Sequence, residues 1–394
     1  MSLDITRLRA ETPGCDRVCH FNNAGAALMP APVIDAVKNH IDLEACMGGY
    51  EAAAVARDEH LRAHAAAAEL IGAAADEIAL LENASVAWMM AFYGIAATFA
   101  PGDRILTAEA EYAANYVAYM QAAKRTGAEI VVVPSDETGA LSVPALENLI
   151  DDRVKLISIT HVPTNGGLVN PAAAVGRVAR AAGIPYLLDA CQSVGQFPVN
   201  VDEIGCDMLS VTGRKYLRGP RGTGFLYMRR ALFDRFEPPM IDHFGAPWID
   251  RDHYQLRDDA RRFETWENNI AGQIGLGVAL DYALDLGIEA IGERNFDLAT
   301  HLRRALAAVS GVAVTDLGPD PGAIVTFTVA GVEPMAVKAA LAEQGINVSV
   351  SDLSSTRIDM ENRGLRNVVR ASVHYYNTEN EIASLVEAVD SLAG

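Results

Sequence analysis

Residues 184–196 read Ile-Pro-Tyr-Leu-Leu-Asp-Ala-Cys-Gln-Ser-Val-Gly-Gln, and the apolar run at their start ends on Asp189. A short apolar run that follows a helix stop such as Gly183 predicts a strand, Pro185–Asp189, with both faces buried. Six similar runs predict strands at Glu77–Leu81, Arg104–Thr107, Glu129–Pro134, Lys155–Thr160, Met208–Val211 and Gly224–Met228. Alanine-rich windows between them predict helices at Ser85–Ala97, Ala113–Arg125, Val143–Ile150 and Ala172–Ala182. This alternation predicts an α/β fold with a mostly parallel seven-stranded sheet covered by helices.

The last third of the chain has a different pattern. Two long windows, Ala271–Leu286 and Ile288–Val309, predict helices. Shorter segments then predict strands at Ala323–Ala330, Ile346–Val350 and Val368–Tyr375 and helices at Pro334–Gln344 and Thr378–Leu392. These mixed elements predict a smaller α+β domain. We therefore expect an N-terminal arm at residues 1–30, a large domain at 31–286 and a small C-terminal domain at 287–394.

The charge and the cysteine content argue against several classes of function. The formal net charge of −19 disfavours binding to nucleic acid and to anionic membranes, because both depend on neutralising phosphates. No apolar run is long enough to span a membrane, and no apolar stretch follows a basic start as in a secretory signal. The five cysteines lack zinc-site spacing, so we expect no metal site and reduced thiols in a cytoplasmic protein.

Asp189 closes its apolar strand at a place where ligands bind. In open α/β sheets, ligands lie at the carboxyl ends of the strands. A carboxylate there can cap a turn, which is common, or face a cationic ring nitrogen of a ligand. The residue alone favours the turn cap.

A glycine-rich basic segment follows another strand. Residues 210–225 hold four cationic side chains and four glycines. Glycines allow a close backbone approach and the cations suit an anion, so in so acidic a chain the segment favours a buried anionic ligand over a solvated loop. Lys215 lies just past the strand end, where a desolvated lysine can lose its proton and become a nucleophile.

Two further segments suit anions. Asn83-Ala84-Ser85 lies between a strand and a helix, where it can cap the helix or bind a phosphate at the helix N-terminus. Arg370 stands inside the apolar strand Val-Val-Arg-Ala-Ser-Val and needs an anionic partner if it is buried. A substrate carboxylate or a structural glutamate would serve.

In this order, the segments resemble the class V aminotransferase and cysteine-desulfurase group of fold-type-I pyridoxal-phosphate (PLP) enzymes. The similarity runs from Phe21-Asn-Asn-Ala-Gly to Tyr375-Tyr-Asn-Thr-Glu, nearly the whole chain. Its most specific parts are Asp189-Ala-Cys-Gln-Ser-Val-Gly-Gln, Thr212-Gly-Arg-Lys and Arg370-Ala-Ser-Val-His-Tyr-Tyr-Asn-Thr.

The resemblance implies a role for each candidate residue. Lys215 would bind pyridoxal 5'-phosphate covalently, and Asp189 would pair with its ring nitrogen and keep the ring an electron sink. Arg370 would bind the carboxylate of a small amino-acid substrate. The other implied cofactor contacts are Asn83, Ala84, Ser85, Thr212 and Arg214 near the phosphate, Gln192 with Thr164 or Asn165 at the ring hydroxyl, and Tyr112 on the ring.

Such enzymes are usually homodimers with shared active sites. The segment Arg262-Phe-Glu-Thr-Trp-Glu-Asn-Asn resembles the part that reaches into the neighbouring site. The resemblance would place Glu267 or Asn269 near the partner's phosphate region.

The chain departs from the desulfurase pattern at several points. Tyr112 stands where many relatives stack a histidine, and Arg214 precedes Lys215 where many have histidine. Desulfurases carry a cysteine on a late loop, but no cysteine follows Cys206, and residues 350–366 offer only hydroxyls and charged groups. A serine hydroxyl is a far weaker nucleophile than a thiolate.

The layout, including Arg262-Phe-Glu-Thr-Trp-Glu and Thr356-Arg-Ile-Asp-Met-Glu, most resembles the C–S lyase branch of this family. The resemblance implies a C–S β-lyase, acting on a cysteine conjugate or its sulfoxide and releasing pyruvate and ammonia. This branch includes enzymes of ergothioneine biosynthesis, and the missing loop thiol argues against a desulfurase. An aminotransferase or an epimerase of the same family is the alternative. A PLP-fold regulator would not need both Lys215 and Asp189, and a nicotinamide oxidoreductase would need Gly-x-Gly-x-x-Gly after its first strand, where this chain has Glu-Asn-Ala-Ser.

Overall fold

A computed structural model describes residues 3–393 of the chain. Within them, seven strands form the main sheet: Ile78–Leu81, Arg104–Ala108, Glu129–Val133, Val154–Thr160, Tyr186–Asp189, Met208–Thr212 and Gly224–Met228. Numbered along the chain, they lie side by side in the order 1-7-6-5-4-2-3. Only Gly224–Met228 runs antiparallel, to both of its neighbours in this sheet. The predicted α/β fold and mostly parallel sheet are confirmed.

The central strands are buried because helices cover both faces of the sheet. Every residue of Tyr186–Asp189 is buried. Leu187 packs in an apolar cluster with Trp88 and Phe92, and the next residue, Leu188, packs in a second cluster. Successive strand residues point to opposite faces, so a continuous apolar run feeds two cores. The helices outside the small domain are Ile5–Ala10, Asn23–Ala26, Ala31–Met47, Gly49–Val55, Arg57–Ile71, Ala84–Ala96, Ala113–Thr126, Val143–Leu149, Ala172–Ala182, Val201–Ile204 and Ile270–Leu286.

A smaller antiparallel sheet forms the C-terminal part. Its strands, in spatial order, are Val312–Val314, Ile324–Val329, Asn367–Ser372 and Ser349–Asp352. The helices around it are Ile288–Ala307, Pro334–Glu343, Arg357–Asn362 and Glu379–Ala393. Outside both sheets, Trp248–Asp250 and His253–Tyr254 form a hairpin.

Two predicted strands differ from the structure. The strand expected at Ile346–Val350 is divided, because Ile346–Asn347 pairs in parallel with Cys19–His20 of the N-terminal arm instead of with the small sheet. The strand expected to reach Tyr375 ends at Ser372. His374 and Asn377 close a turn there, since the His374 N–H donates to Asn377 Oδ1 at 2.8 Å and the Asn377 N–H donates to the His374 carbonyl at 2.8 Å.

The N-terminal arm is bound to both parts of the chain. Arg218, which is 1% exposed, donates to Thr12 Oγ1, to the Leu28 carbonyl and to the Tyr375 hydroxyl. The division at residues 30 and 286 stays a prediction. Among the helices of residues 3–393, none combines the length and the apolar character needed to cross a bilayer.

Candidate active site

The predicted site residues gather at the carboxyl edge of the main sheet. Thr160, Asp189 and Thr212 are the last residues of three adjacent strands, and Thr160 pairs with Asp189 in the register. Lys215 follows three residues after Thr212. Parallel strands end at one edge, so these side chains meet there although the sequence separates them.

The loop that carries Lys215 is fixed by backbone contacts. The Gly219 N–H donates to the Gly213 carbonyl at 2.7 Å, which closes the loop. A Cβ at Gly195, whose φ is +85°, would lie 2.6 Å from the Tyr216 backbone, so only glycine allows this approach. Lys215 Nζ lies 3.2 Å from Cys191 Sγ. The lysine is thus held beside the segment that follows Asp189.

Asp189 is a buried carboxylate whose hydrogen-bond partners are neutral. Its Oδ2 accepts from Asn115 Nδ2 at 2.9 Å and its Oδ1 accepts from the Cys191 N–H at 3.0 Å. Burial raises its pKa, and the two hydrogen bonds and the charge of Lys215 oppose that rise. Because both hydrogen-bond partners are neutral, they do not cancel the negative charge of Asp189. A protonated ring nitrogen would cancel it, so the residue fits the PLP ring.

The start of the helix Ala84–Ala96 fits a phosphate. Asn83 Oδ1 accepts from the Val86 N–H at 3.0 Å, so Asn83 caps this helix. The first N–H groups of a helix have no partner inside it and attract anions. A Cβ at Gly224 would lie 2.4 Å from the Val211 carbonyl and 3.0 Å from the Asn83 backbone, so this glycine lets the strands pack against the cap. Ala84 and Ser85 occupy the first turn.

The N-terminal arm closes one side of the site. Gln192 Nε2 donates to the Ala24 carbonyl at 3.2 Å, and Arg214 donates to the Gly25 carbonyl. Gln192 Oε1 is buried without a hydrogen-bond partner among the described residues. An unpartnered buried amide three residues after Asp189 needs a polar ligand group. With Thr212 and Arg214 at the strand end, the residues present fit pyridoxal 5'-phosphate.

Arg370 is buried, and its side chain has no carboxylate partner among residues 3–393. Its Nη1 donates to Thr164 Oγ1 at 2.5 Å and to the Thr164 carbonyl at 3.2 Å, and its Nη2 donates to Asn22 Oδ1 at 3.4 Å. Its Nε has no partner within residues 3–393. Burial lowers its pKa to about 10. The neutral partners exclude the structural-glutamate alternative, and the role in binding a substrate carboxylate stays a prediction.

Two candidates lie in different surroundings. Asn165 Nδ2 donates to the Asp352 carbonyl at 3.0 Å and contacts Met360 Sδ, so its amide joins the small domain. Tyr112 occupies the N-cap position of the helix Ala113–Thr126 without a side-chain capping bond and is 37% exposed. Burial of its hydroxyl raises the pKa of Tyr112. Contact of either residue with the cofactor stays a prediction.

The segment 350–366 flanks the site. Ser351 Oγ lies 3.5 Å from the Thr164 carbonyl, and Arg357–Asn362 forms a helix. The segment also borders a cavity of about 150 Å³ next to the site, lined by Glu109, Glu111, Ala113, Tyr116, Val117, Met120, Ser354, Arg357 and Ile358. The segment therefore borders the site, but it carries no thiol.

The sequence prediction missed Glu111 and Asn115. Glu111 is 3% exposed and accepts hydrogen bonds from five residues, and Asn115 links it to Asp189. The available signal was a polar pair spaced four residues apart, which places both side chains on one helix face.

Several proteins to which the chain is similar are named cysteine desulfurases. The probable cysteine desulfurase of Methanothermobacter thermautotrophicus is 29% identical over 382 residues, covering 95% of this chain and 94% of that protein. The one from Xylella fastidiosa (strain Temecula1) is 31% identical over 400 residues, covering 98% and 95%. Among solved structures, the apo cysteine desulfurase from Thermococcus onnurineus has a TM-score of 0.92 at 27% identity, covering 100% of this chain and 98% of that one. The cysteine desulfurase CsdA (S-sulfonic acid) from Escherichia coli has a TM-score of 0.91 at 26% identity, covering 99% and 98%.

These relatives contradict the predicted activity. We expected a β-lyase for cysteine conjugates or their sulfoxides, but relatives over nearly the full chain are named cysteine desulfurases. The prediction was wrong because it took the reaction from the missing thiol in residues 350–366 and from a resemblance to the C–S lyase branch. A missing loop thiol removes one sulfur acceptor, but it does not identify the substrate.

A family model described as aminotransferase class-V matches residues 19–385. This match confirms the resemblance drawn from Asp189, Lys215 and Arg370. It also confirms the expected enzyme class, a PLP-dependent enzyme, and the expected cofactor, pyridoxal 5'-phosphate. The chain belongs to the class-V aminotransferase family.

Proposed function

We propose that the enzyme cleaves the carbon–sulfur bond of L-cysteine, leaves L-alanine and transfers the sulfur to a thiol. The balanced reaction is cysteine plus R–SH to alanine plus the persulfide R–S–SH. The observation that carries the proposal is the buried Arg370 guanidinium, free of carboxylate partners among the described residues, at the site that also holds Lys215. The names of the relatives supply the substrate class.

Each residue of the chain has one task in this proposal. When bound, PLP supplies an electron sink for bond changes at the substrate Cα. Lys215 takes the proton from Cα and returns one as alanine forms. Asp189 keeps the proton on the ring nitrogen, and Arg370 orients the amino acid through its carboxylate.

The sulfur acceptor in this proposal comes from solvent. The segment 350–366 has no thiol, and Cys206 is buried in the core, where burial raises its pKa to about 12. Cys191 Sγ lies 3.2 Å from Lys215 Nζ. However, the Cys191 N–H donates to Asp189, so Cys191 is fixed next to the end of the strand Tyr186–Asp189. Burial also raises the pKa of Cys191, and the charge of Lys215 opposes that rise. A fixed thiol with a raised pKa is a poor carrier of sulfur.

The test compares products with and without dithiothreitol as the added thiol. With dithiothreitol, the persulfide formed on one of its thiols is attacked by the second thiol, which closes the cyclic disulfide and releases sulfide. We therefore expect alanine and sulfide in equal amounts with dithiothreitol, and slower alanine formation without it, in the wild type and in Cys191→Ala. Cys46→Ala changes an exposed thiol and serves as the matched control. Formation of pyruvate with ammonia would contradict the proposal and indicate elimination. A keto acid formed only with an amino acceptor would contradict it and indicate transamination. Loss of alanine formation in Cys191→Ala alone would make Cys191 the acceptor.

We also propose a cytoplasmic homodimer with shared active sites. The hairpin at 248–254 exposes Trp248, Ile249 and Tyr254, and the segment 262–269 exposes Trp266. Large exposed apolar side chains of this kind favour contact with another protein surface. Mixing Lys215→Ala with Asn269→Ala subunits should restore activity if each site draws residues from both copies. A monomer by light scattering would contradict this arrangement. All five cysteines are unpaired, which suits a reducing cytoplasm.

A further inference from the structure

Glu111 is a buried carboxylate that no role described so far uses. It lies between the strand Arg104–Ala108 and the helix Ala113–Thr126. Its Oε2 accepts from Thr107 Oγ1 at 2.9 Å, and its Oε1 accepts from Thr160 Oγ1 at 2.5 Å and from the Tyr112 N–H at 2.8 Å. Both oxygens are therefore held by neighbouring elements.

Asn115 connects Glu111 to Asp189. Its Nδ2 donates to Glu111 Oε1 at 2.9 Å and to Asp189 Oδ2 at 2.9 Å. An amide nitrogen has two hydrogens, so one can serve each carboxylate. Asn115 is 2% exposed. The orientation of the amide is thus set by the carboxylates on its two sides.

We propose that Glu111 is a positioning residue that holds the Asn115 amide against Asp189 and so fixes the carboxylate that receives the ring nitrogen of PLP. Asp189 accepts one hydrogen bond on each oxygen, so its plane depends on Asn115 as much as on the Cys191 N–H. Without Glu111, the Asn115 amide loses the acceptor that prevents its rotation. The inference rests on the cofactor of the family and not on the choice of amino acid or reaction.

Burial supports a coupled unit at this place. Desolvation raises the pKa of Glu111 to about 7, and the charge of Asp189 adds to the rise. The groups that face Glu111 are Thr107, Tyr112, Asn115, Tyr119 and Thr160. Burying a charged acid costs free energy unless hydrogen bonds satisfy it, and five donor residues surround Glu111.

The test measures cofactor binding by the apoenzyme and the absorbance of the bound cofactor in Glu111→Gln, Asn115→Ala and the double variant. Each single change should raise the Kd for PLP by about fivefold to tenfold, and each should shift the absorbance band of the bound cofactor. The amino-acid KM should change less than about threefold while kcat falls about tenfold, because the Arg370 end is untouched. If Glu111 acts through Asn115, the double variant should be no worse than Asn115→Ala.

Glu109→Gln is the matched control, because Glu109 is partly exposed and binds Ser135 instead. Additive effects in the double variant, or a Glu111→Gln enzyme that matches the control in Kd and absorbance, would overturn the proposal. If Glu111→Gln does not fold, Thr160→Val removes one of the donors to Glu111 while keeping the shape of the side chain. It should then shift Kd and absorbance in the same direction as Asn115→Ala, and wild-type values for both variants would equally overturn the proposal.

Discussion

Arg370 Nη1 donates to Thr164 Oγ1 at 2.5 Å, and this bond joins a strand of the small sheet to the loop that follows Val154–Thr160. The small sheet and the loop that follows this strand of the main sheet are therefore connected through the Arg370 guanidinium. Thr164 and Asn22 are neutral partners, so the positive charge of Arg370 is left for a ligand.

Arg370→Lys should raise KM for the amino acid about tenfold or more and change kcat less than about threefold, because lysine lacks the planar fork that binds a carboxylate through two hydrogen bonds. Steady-state kinetics check this, with Arg357→Lys as the control on the neighbouring segment. A large fall in kcat at an unchanged KM would assign Arg370 to another role.

Lys215→Ala should lose the covalent link to the cofactor, since this side chain stands at the strand edge beside the residues that fit PLP. Borohydride reduction followed by peptide mapping should find the label on the peptide with Lys215 in the wild type. A labelled peptide that lacks Lys215 would refute the assignment.

Asp189→Asn should keep the cofactor bound and lower kcat by about a hundredfold, or roughly 2.7 kcal/mol, because the amide cannot hold the ring nitrogen protonated. The absorbance of the bound cofactor checks occupancy, and stopped-flow kinetics measure the rate. Turnover close to that of the wild type would contradict the pairing.

Arg218→Leu should lower the free energy of unfolding by about 2–4 kcal/mol, because it removes buried hydrogen bonds and leaves their acceptors unpaired. The partners that lose these bonds are Thr12, Leu28 and Tyr375. Arg221→Leu changes an exposed arginine in the same loop and is the control. Chemical denaturation measures both, and equal stabilities of the two variants would exclude this role for Arg218.

The main sheet could be predicted because each strand is a continuous apolar run. The divided strand at 346–352 could not, since it depends on pairing with Cys19–His20 at the other end of the chain. The helices Ala31–Met47 and Arg57–Ile71 were missed although their apolar periodicity is no weaker than that of the predicted helices Ala84–Ala96 and Ala113–Thr126.

The candidate site was predictable where a residue stands at a strand end, as Asp189 and Lys215 do. Glu111 and Asn115 were not, because their role depends on Asp189, which lies 74 residues beyond Asn115. The activity was missed for a different reason. The residues that remove a Cα proton are common to elimination, transamination and desulfurisation, so their presence does not select the product.

The most direct measurement follows L-cysteine labelled with a carbon isotope at its β-carbon by nuclear magnetic resonance, with dithiothreitol as the thiol acceptor. We predict that the label appears in the methyl group of alanine, in step with sulfide release, and that Lys215→Ala produces none. Label in the methyl group of pyruvate, with ammonia released and no alanine, would contradict the proposed reaction.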